Sequence, residues 1–200
     1  MTLLKKAVNL IPVGVVLTIT ILAFQKWQAV QASKPDYNNP NHVSQGLAPQ
    51  PGSSQMWEVA DVVDGDTLTV RAEGKDDRIR LCGIDAPELG QPVGNDARAR
   101  LRSLVSAVGN QVIVVPSERD RNGLLLAEVF VSAGKRSEEE KLLNYEMVRA
   151  GMAHHYKEYS DRCPNGSEIL AEAEQEAQSK RLGVWSGENQ KPWDSRKAQR

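Results

Sequence analysis

Four carboxylates and one arginine are grouped in two short segments of the sequence, and their types suit metal-assisted chemistry on a phosphate. Asp64 and Asp66 lie in one segment, and Asp85 and Glu88 lie in the other. Clustered carboxylates repel one another unless a cation lies among them, and oxygen ligands suit hard cations, so the pattern predicts Ca²⁺ or Mg²⁺ rather than zinc. Arg80 adds a planar, bidentate donor for phosphate oxygens. Metal, arginine and carboxylate together indicate phosphodiester hydrolysis.

The strands around these segments decide whether the charges can meet. The sequence predicts a hairpin of two strands at 57–63 and 67–72, followed by a third strand at 78–84. In such a meander the ends of the first and third strands lie on the same rim, which brings the two acidic segments together. Taken one at a time, the same motifs are typical of plain hairpin turns with solvated charges.

The rest of the folded region completes the pattern of a barrel. Further strands are predicted at 111–115 and 124–131, with a helix between 97 and 108 and later helices at 137–151 and 167–181. The helix at 137–151 is expected to open on a capping box, with Glu140 at its third position. Five short strands with one helix between the third and fourth is the order of an OB-type barrel. The predicted fold class is therefore α+β, mainly β: a five-stranded OB-fold barrel with three helices.

The first 32 residues have the composition of an export or anchoring segment. Lys5 and Lys6 precede an uncharged, mostly apolar run at 7–24, which is typical of a signal peptide or of a membrane-spanning signal anchor. Small residues at 30–32 offer a cleavage site, whereas Trp27 equally suits a membrane interface. Both alternatives stay open. The folded domain is expected outside the cytoplasm in either case: membrane-anchored if the segment is retained, or secreted or periplasmic if it is cleaved.

The remaining chain divides by composition into a linker, a domain and a tail. Residues 33–55 are rich in Pro, Asn and Gln and predict a flexible linker, 56–187 form the folded domain, and 188–200 form a C-terminal tail. Beyond residue 56 acidic side chains outnumber basic ones, which excludes a generally basic surface and favours a focused site. The two cysteines, Cys82 and Cys163, exclude a four-cysteine zinc site. Whether they form a disulfide stays open.

The joint pattern of the two acidic segments resembles a known signature. The sequence Asp64-Gly-Asp-Thr-Leu-Thr-Val70, nine residues, and then Arg80-Leu-Cys-Gly-Ile-Asp-Ala-Pro-Glu88 resembles the first signature of the staphylococcal-nuclease-like, or thermonuclease, family. The resemblance covers about 56–187. It implies an OB-fold barrel that hydrolyses DNA and RNA with Ca²⁺, with little sequence preference, leaving 3′-phosphate ends. We expect a monomer that prefers single strands.

The resemblance also implies roles for individual residues. Asp66, Asp85 and the backbone carbonyl of Ala86 would hold Ca²⁺. Glu88 would orient or deprotonate the attacking water, and Arg80 would grip the phosphate as charge builds on its oxygens.

Substrate contacts follow from the same resemblance. Arg121 stands where the family keeps a basic residue that contacts a substrate phosphate. Tyr156 and Tyr159 resemble the tyrosines that cover the substrate base, by stacking on it.

One position departs from the family pattern. Leu124 stands where the family has a second arginine, which stabilises the transition state and the leaving oxygen. Arg121 and Arg119 are near enough in sequence to compensate. Two hypotheses therefore stay open: a nuclease, or an OB-fold module with weakened or absent catalysis that binds nucleic acid or protein.

Overall fold

A barrel of five strands forms the centre of the domain. The computed structural model describes residues 55–72, 74–120, 123–133, 139–187 and 189–198. The strands are β1 (Gln55–Val62), β2 (Thr67–Ala72), β3 (Lys75–Leu81), β4 (Ile84–Asp85), β5 (Gln111–Arg119), β6 (Leu125–Ser132), β7 (Glu140–Leu142) and β8 (His154–His155). The helices are α1 (Gly94–Ser106), α2 (Leu143–Arg149), α3 (Lys157–Ser160), α4 (Glu168–Ser179) and α5 (Pro192–Ala198), with a 3₁₀ turn at Gly183–Trp185.

The barrel is closed by one parallel contact in an otherwise antiparallel sheet. The strands follow the order β3-β2-β1-β5-β6-β7, and β3 also pairs in parallel with β6, with Ile79 opposite Leu125 and Leu81 opposite Ala127. Alternate side chains point inward, as the two-residue period of a strand requires. The strand side chains with no exposed surface include Leu68, Val70, Ile79, Leu81, Val112, Val114, Ala127, Val129 and Phe130. The predicted OB-fold barrel is confirmed.

The second predicted helix begins later than the sequence indicates. Residues 140–142 form strand β7, which pairs with the end of β6, and the helix begins at Leu143. The capping-box prediction was therefore wrong at Glu140, which lies in a strand. The edge of β6 offers unpaired backbone groups, and pairing with them outweighs local helix propensity while it buries Leu142.

The third predicted strand is divided in two, and this division positions the site. β3 ends at Leu81, Gly83 takes a left-handed φ of 73°, and the chain resumes as β4. β4 then pairs with β8 in a separate two-stranded sheet, with Asp85 opposite His154. A glycine at this bend is favoured because other residues rarely adopt such a φ.

The structure describes the C-terminal end of the chain up to residue 198 but not the residues before Gln55. The predicted leader at 1–32 and the linker at 33–55 lie outside the described residues, apart from Gln55. No helix among the described residues is long and apolar enough to cross a membrane. Within the predicted C-terminal tail, residues 192–198 form the helix α5, in which Pro192 and Ser195 are buried.

Candidate active site

The two acidic segments meet at the rim of the barrel, as the meander predicts. Gly65 packs so closely on Ala86 and on Ala97 of α1 that no side chain would fit there. The turn between β1 and β2 therefore rests directly on the segment that follows β4. Asp64 Oδ1 accepts a hydrogen bond from the backbone N–H of Asp66 at 3.0 Å, which holds the turn closed.

Arg80 joins the two carboxylates that are predicted to hold a cation. Its Nη2 atom donates to Asp66 Oδ2 at 3.2 Å and to Asp85 Oδ1 at 2.6 Å. The backbone N–H of Ala86 donates to the same Asp66 oxygen at 2.9 Å. The structure thus brings Asp66, Arg80, Asp85 and Ala86 together, although they come from separate segments of the chain.

Both carboxylates of this cluster are removed from water. Asp66 is 4% exposed and Asp85 is fully buried. Burial raises the pKa of Asp66, and the charge of Arg80 opposes that rise. Burial likewise raises the pKa of Asp85, against hydrogen bonding from Arg196. Two buried carboxylates this close to one another require positive charge beside them.

The donor set fits a hard divalent cation. Across the described parts of the chain, no group of three or more His, Cys, Asp or Glu side chains is placed to hold a metal ion. The ligand set that the resemblance implies contains two carboxylates and one backbone carbonyl, so it needs no third acidic side chain. Asp66 and Asp85 reach one common guanidinium group, and their oxygens are the ligand type that Ca²⁺ prefers.

Glu88 lies beside the cluster and is held by an arginine from α5. Arg196 Nη1 donates to Glu88 Oε1 at 2.8 Å, and Arg196 Nη2 donates to Asp85 Oδ2 at 2.5 Å. Burial lowers the pKa of Arg196, but the hydrogen bonds that it donates to both carboxylates outweigh this and raise the pKa. Sequence reasoning missed Arg196. Pro192 at the start of a helix is a recognisable signal, but nothing in the sequence indicates where that helix packs.

Two clefts adjoin at Arg80. The acidic cleft is lined by Asp64, Asp66, Arg78, Arg80, Glu88 and Leu124, among other residues. The tyrosine cleft is lined by Arg80, Arg119, Tyr156, Tyr159, Arg162 and Arg196, among other residues. The rings of the two tyrosines lie with centroids 4.8 Å apart, and Tyr159 is 41% exposed. The tyrosine cleft therefore offers exposed aromatic surface next to arginines, which suits an unstacked base with its phosphate.

The position of the missing second arginine and the two arginines predicted to compensate for it are found as follows in the structure. Leu124 lines the acidic cleft, so the structure places a leucine beside the carboxylates where the family has arginine. Arg119 lines the tyrosine cleft, but its guanidinium donates to two residues of the acidic cleft: to Asp77 Oδ2 at 2.5 Å and to the carbonyl of Gly123 at 2.8 Å. Arg121 lies outside the described residues.

A disulfide connects the segment that carries Arg80 and Asp85 to the segment that follows Tyr159. Cys82 and Cys163 are bonded, with Cα atoms 6.0 Å apart, which lies in the usual range for such a bond. This answers the question that the sequence leaves open. The bond joins the segment between Arg80 and Asp85 to the segment just beyond Tyr159.

Asn144 of α2 supports the same region from inside the fold. Its side chain is 1% exposed, its Nδ2 atom donates to the carbonyl of Cys82 at 2.8 Å, and its Oδ1 atom accepts from the N–H of Val129 at 3.1 Å. Asn144 therefore fixes the end of β3 against β6. Its type and place in the sequence carry no separate signal for this role.

The barrel and its rim together define an OB-fold protein with paired carboxylates and arginines at one site. A model of the family "Staphylococcal nuclease homologue" matches residues 78–187, more than half of the chain. The chain is 39% identical to a micrococcal nuclease of Shigella flexneri, over 70% of this chain and 80% of that protein. It is 37% identical to an uncharacterized endonuclease of Escherichia coli O157:H7, over 70% and 84% respectively. An uncharacterized endonuclease of Haemophilus influenzae is 35% identical, over 66% of each chain.

This chain belongs to the staphylococcal nuclease family.

Proposed function

We propose that this protein is a Ca²⁺-dependent nuclease that hydrolyses phosphodiester bonds of DNA and RNA with little sequence preference. The observation that carries the proposal is the cluster of Asp66, Arg80 and Asp85, with Glu88 beside it, at the point where the two clefts adjoin. Membership of the family and the names of the relatives support nuclease activity in general.

The reaction needs four functions, and residues of the site are suited to three of them. In hydrolysis, water supplies the OH that joins phosphorus and the proton that ends on the 5′ oxygen, so the products are a 3′-phosphate and a 5′-hydroxyl. Glu88 is 48% exposed at the side chain and can accept a proton from water. Arg80 can donate to the phosphate oxygens, and the exposed ring of Tyr159 can stack on a base, while Tyr156 packs between Tyr159 and Trp193.

The fourth function belongs to the cation. Asp66, Asp85 and the carbonyl of Ala86 would hold it, and Ca²⁺ bound there would supply Lewis-acid stabilisation of the phosphate charge. Among the described residues, the ion pairs of these buried carboxylates are with Arg80 and Arg196, which would otherwise carry the charge balance.

The test is release of acid-soluble nucleotide by the purified full chain. We expect cleavage of single-stranded DNA and of RNA with Ca²⁺ and none with excess chelator. Asp66→Asn and Asp85→Asn should abolish both turnover and Ca²⁺ binding by calorimetry, because each removes an anionic ligand. Asp61→Asn is the matched control: it removes the charge of an Asp whose side chain is 55% exposed on β1, and both properties should persist.

The other outcomes separate the alternatives. Undiminished cleavage in chelator would exclude the metal-dependent reaction. An inert wild type that still binds single-stranded DNA would identify a binding module instead, the hypothesis that Leu124 favours. Inertness with no binding would exclude both functions.

We also propose that the domain works outside the cytoplasm. The disulfide supports this location, because such bonds persist in oxidising compartments. Protease added to spheroplasts of cells that produce the protein should digest the domain if the N-terminal segment anchors it, while soluble protein beginning near Ser33 would show cleavage. A domain that stays protected until the cells are lysed would refute export.

A further inference from the structure

Arg196 contacts both acidic residues to which the proposed reaction assigns separate tasks. One of its nitrogens donates to Glu88, the residue suited to accept a proton, and another donates to Asp85, a proposed cation ligand. Its side chain remains 34% exposed and lines the tyrosine cleft with Arg80. A guanidinium has five N–H donors, so donors remain for a phosphate oxygen.

The position of Arg196 does not depend on these ion pairs alone. Trp193, three residues earlier on α5, stacks on Tyr156 with the ring planes 8° apart and the centroids 5.1 Å apart. Its ring also meets His154 edge-on at 5.5 Å. Because residues three apart on a helix lie on the same face, the packing of Trp193 directs Arg196 toward the site. Pro192 and Ser195 are buried as well.

The site has a need that Arg196 can meet. Leu124 leaves the usual position of the second arginine apolar. Arg119 donates to Asp77 and to the carbonyl of Gly123, whereas Arg196 donates to Asp85 and Glu88, the carboxylates of the site. In the described part of the acidic cleft the arginines are Arg80 and Arg78, and Arg78 is exposed on β3.

We propose that Arg196 contacts the scissile phosphate and serves as the second catalytic arginine, supplied by the C-terminal helix in place of the one missing at Leu124. This inference rests on the proposed nuclease function. A phosphate oxygen that enters the site takes over a donor of Arg196, which stabilises the charge on that oxygen. The same exchange releases Glu88, so that its carboxylate is free to accept the proton from water.

The first experiment compares Arg196→Ala and Arg196→Lys with Lys197→Ala in the full chain. Lys197 is an exposed cation on the same helix, so Lys197→Ala removes equal charge outside the site. With Ca²⁺ and single-stranded DNA, Arg196→Ala should lower kcat by about 10² to 10³, as when one preorganised donor to the transition state is removed. Arg196→Lys should recover part of the loss, because lysine keeps the charge without the planar fork. Lys197→Ala should match wild type.

The second experiment restores an arginine at position 124, where the family has one. Leu124→Arg in the Arg196→Ala background should raise kcat at least about tenfold, since it returns a donor to the acidic cleft. Leu124→Arg alone should change kcat by less than that, because Arg196 already supplies the contact. Arg78→Ala should lower kcat less than Arg196→Ala does, because Arg78 lines the acidic cleft but Arg196 donates to Asp85 and Glu88.

Binding measurements keep the test independent of turnover. In chelator, the affinity for a short single-stranded oligonucleotide, followed by fluorescence anisotropy, should fall about tenfold in Arg196→Ala and not in Lys197→Ala. Circular dichroism gives the folded fraction of Arg196→Ala, so that kcat and affinity are compared per folded protein.

Several results would overturn the inference. A higher kcat and tighter Ca²⁺ binding in Arg196→Ala would make α5 an inhibitory element. Loss of activity only in proportion to loss of folded protein would make Arg196 structural, and loss in Arg78→Ala instead would assign the role to Arg78. An inert wild type would refute the nuclease function separately. In that case, equal oligonucleotide affinity in wild type and Arg196→Ala would also refute the phosphate contact.

Discussion

A Cβ atom placed on Gly65 would lie 2.7 Å from the Cβ atom of Ala86. The turn that carries Asp66 therefore packs on the segment that carries Asp85, with only the methyl group of Ala86 between the two backbones. The distance between these two carboxylates depends on this contact, because both segments rest on it.

Gly65→Ala should disturb the site more than the fold. Overpacking of this kind costs about 1 to 3 kcal/mol in free energy of unfolding. Displacement of Asp66 from Asp85 should weaken Ca²⁺ binding by about tenfold or more, as for other residues that position metal ligands. Calorimetry with Ca²⁺ and denaturant unfolding measure the two effects. Gly187→Ala is the control, since a Cβ atom there meets nothing within 4 Å; an equal effect of both changes would contradict the prediction.

The meeting of the two acidic segments could be predicted from the sequence, because it follows from the order of neighbouring strands along the chain. Alternating apolar residues predicted the strands that now close the barrel, and the meander predicted that Asp66 and Asp85 would meet. The packing of α5 could not be predicted in that way. It depends on Trp193 reaching Tyr156, a contact between distant parts of the chain that no local pattern specifies. Strand β7 was missed for a similar reason, because its partner is the free edge of β6.

Asn144→Leu should destabilise the protein without changing the surface of the site. Leucine has a similar volume but leaves the carbonyl of Cys82 and the N–H of Val129 without the amide that joins them. Each buried group left unpaired costs about 1 to 3 kcal/mol in free energy of unfolding. Urea unfolding measures this loss. The exposed Asn95 provides the control Asn95→Leu, which should change stability by less than about 0.5 kcal/mol. Equal stabilities of the two variants would contradict the role of Asn144.

The buried His154 should make stability depend on pH. Burial lowers its pKa to about 4 from the ordinary value of 6.5. The unfolded chain then binds a proton that the folded chain does not, so the free energy of unfolding should fall as pH falls from 6.5 to 4. The loss amounts to about 3.4 kcal/mol at most, at 1.36 kcal/mol per pH unit.

His154→Phe should remove this part of the pH dependence. Phenylalanine keeps a ring between Trp185 and Trp193 but cannot take up a proton. Between pH 6.5 and 4 the variant should therefore gain stability relative to wild type, while the difference between them should stay constant from pH 7 to 8. Thermal unfolding across this range gives the comparison. Parallel curves at all pH values would show that another group titrates.

Removal of the disulfide should weaken both the fold and the tyrosine cleft. Changing both Cys82 and Cys163 to Ala should lower the free energy of unfolding by about 2 to 5 kcal/mol. The affinity for a single-stranded oligonucleotide should fall as well, because the bond ties the segment beyond Tyr159 to the strand of Arg80. A reductant should reproduce both effects in wild type and add nothing in the double variant. Unchanged stability of the reduced wild type would contradict this.

The same bond has a topological consequence. Cys82 and Cys163 are 81 positions apart in the sequence, and the chain between them includes α1, β5, β6 and α2. A protease that cuts once within this span cannot release a fragment, because the disulfide still links both pieces of the chain. The strands of the nicked protein remain at high effective concentration for one another and can pair again. Resistance of this kind would suit the export proposed above, because an exported domain meets proteases.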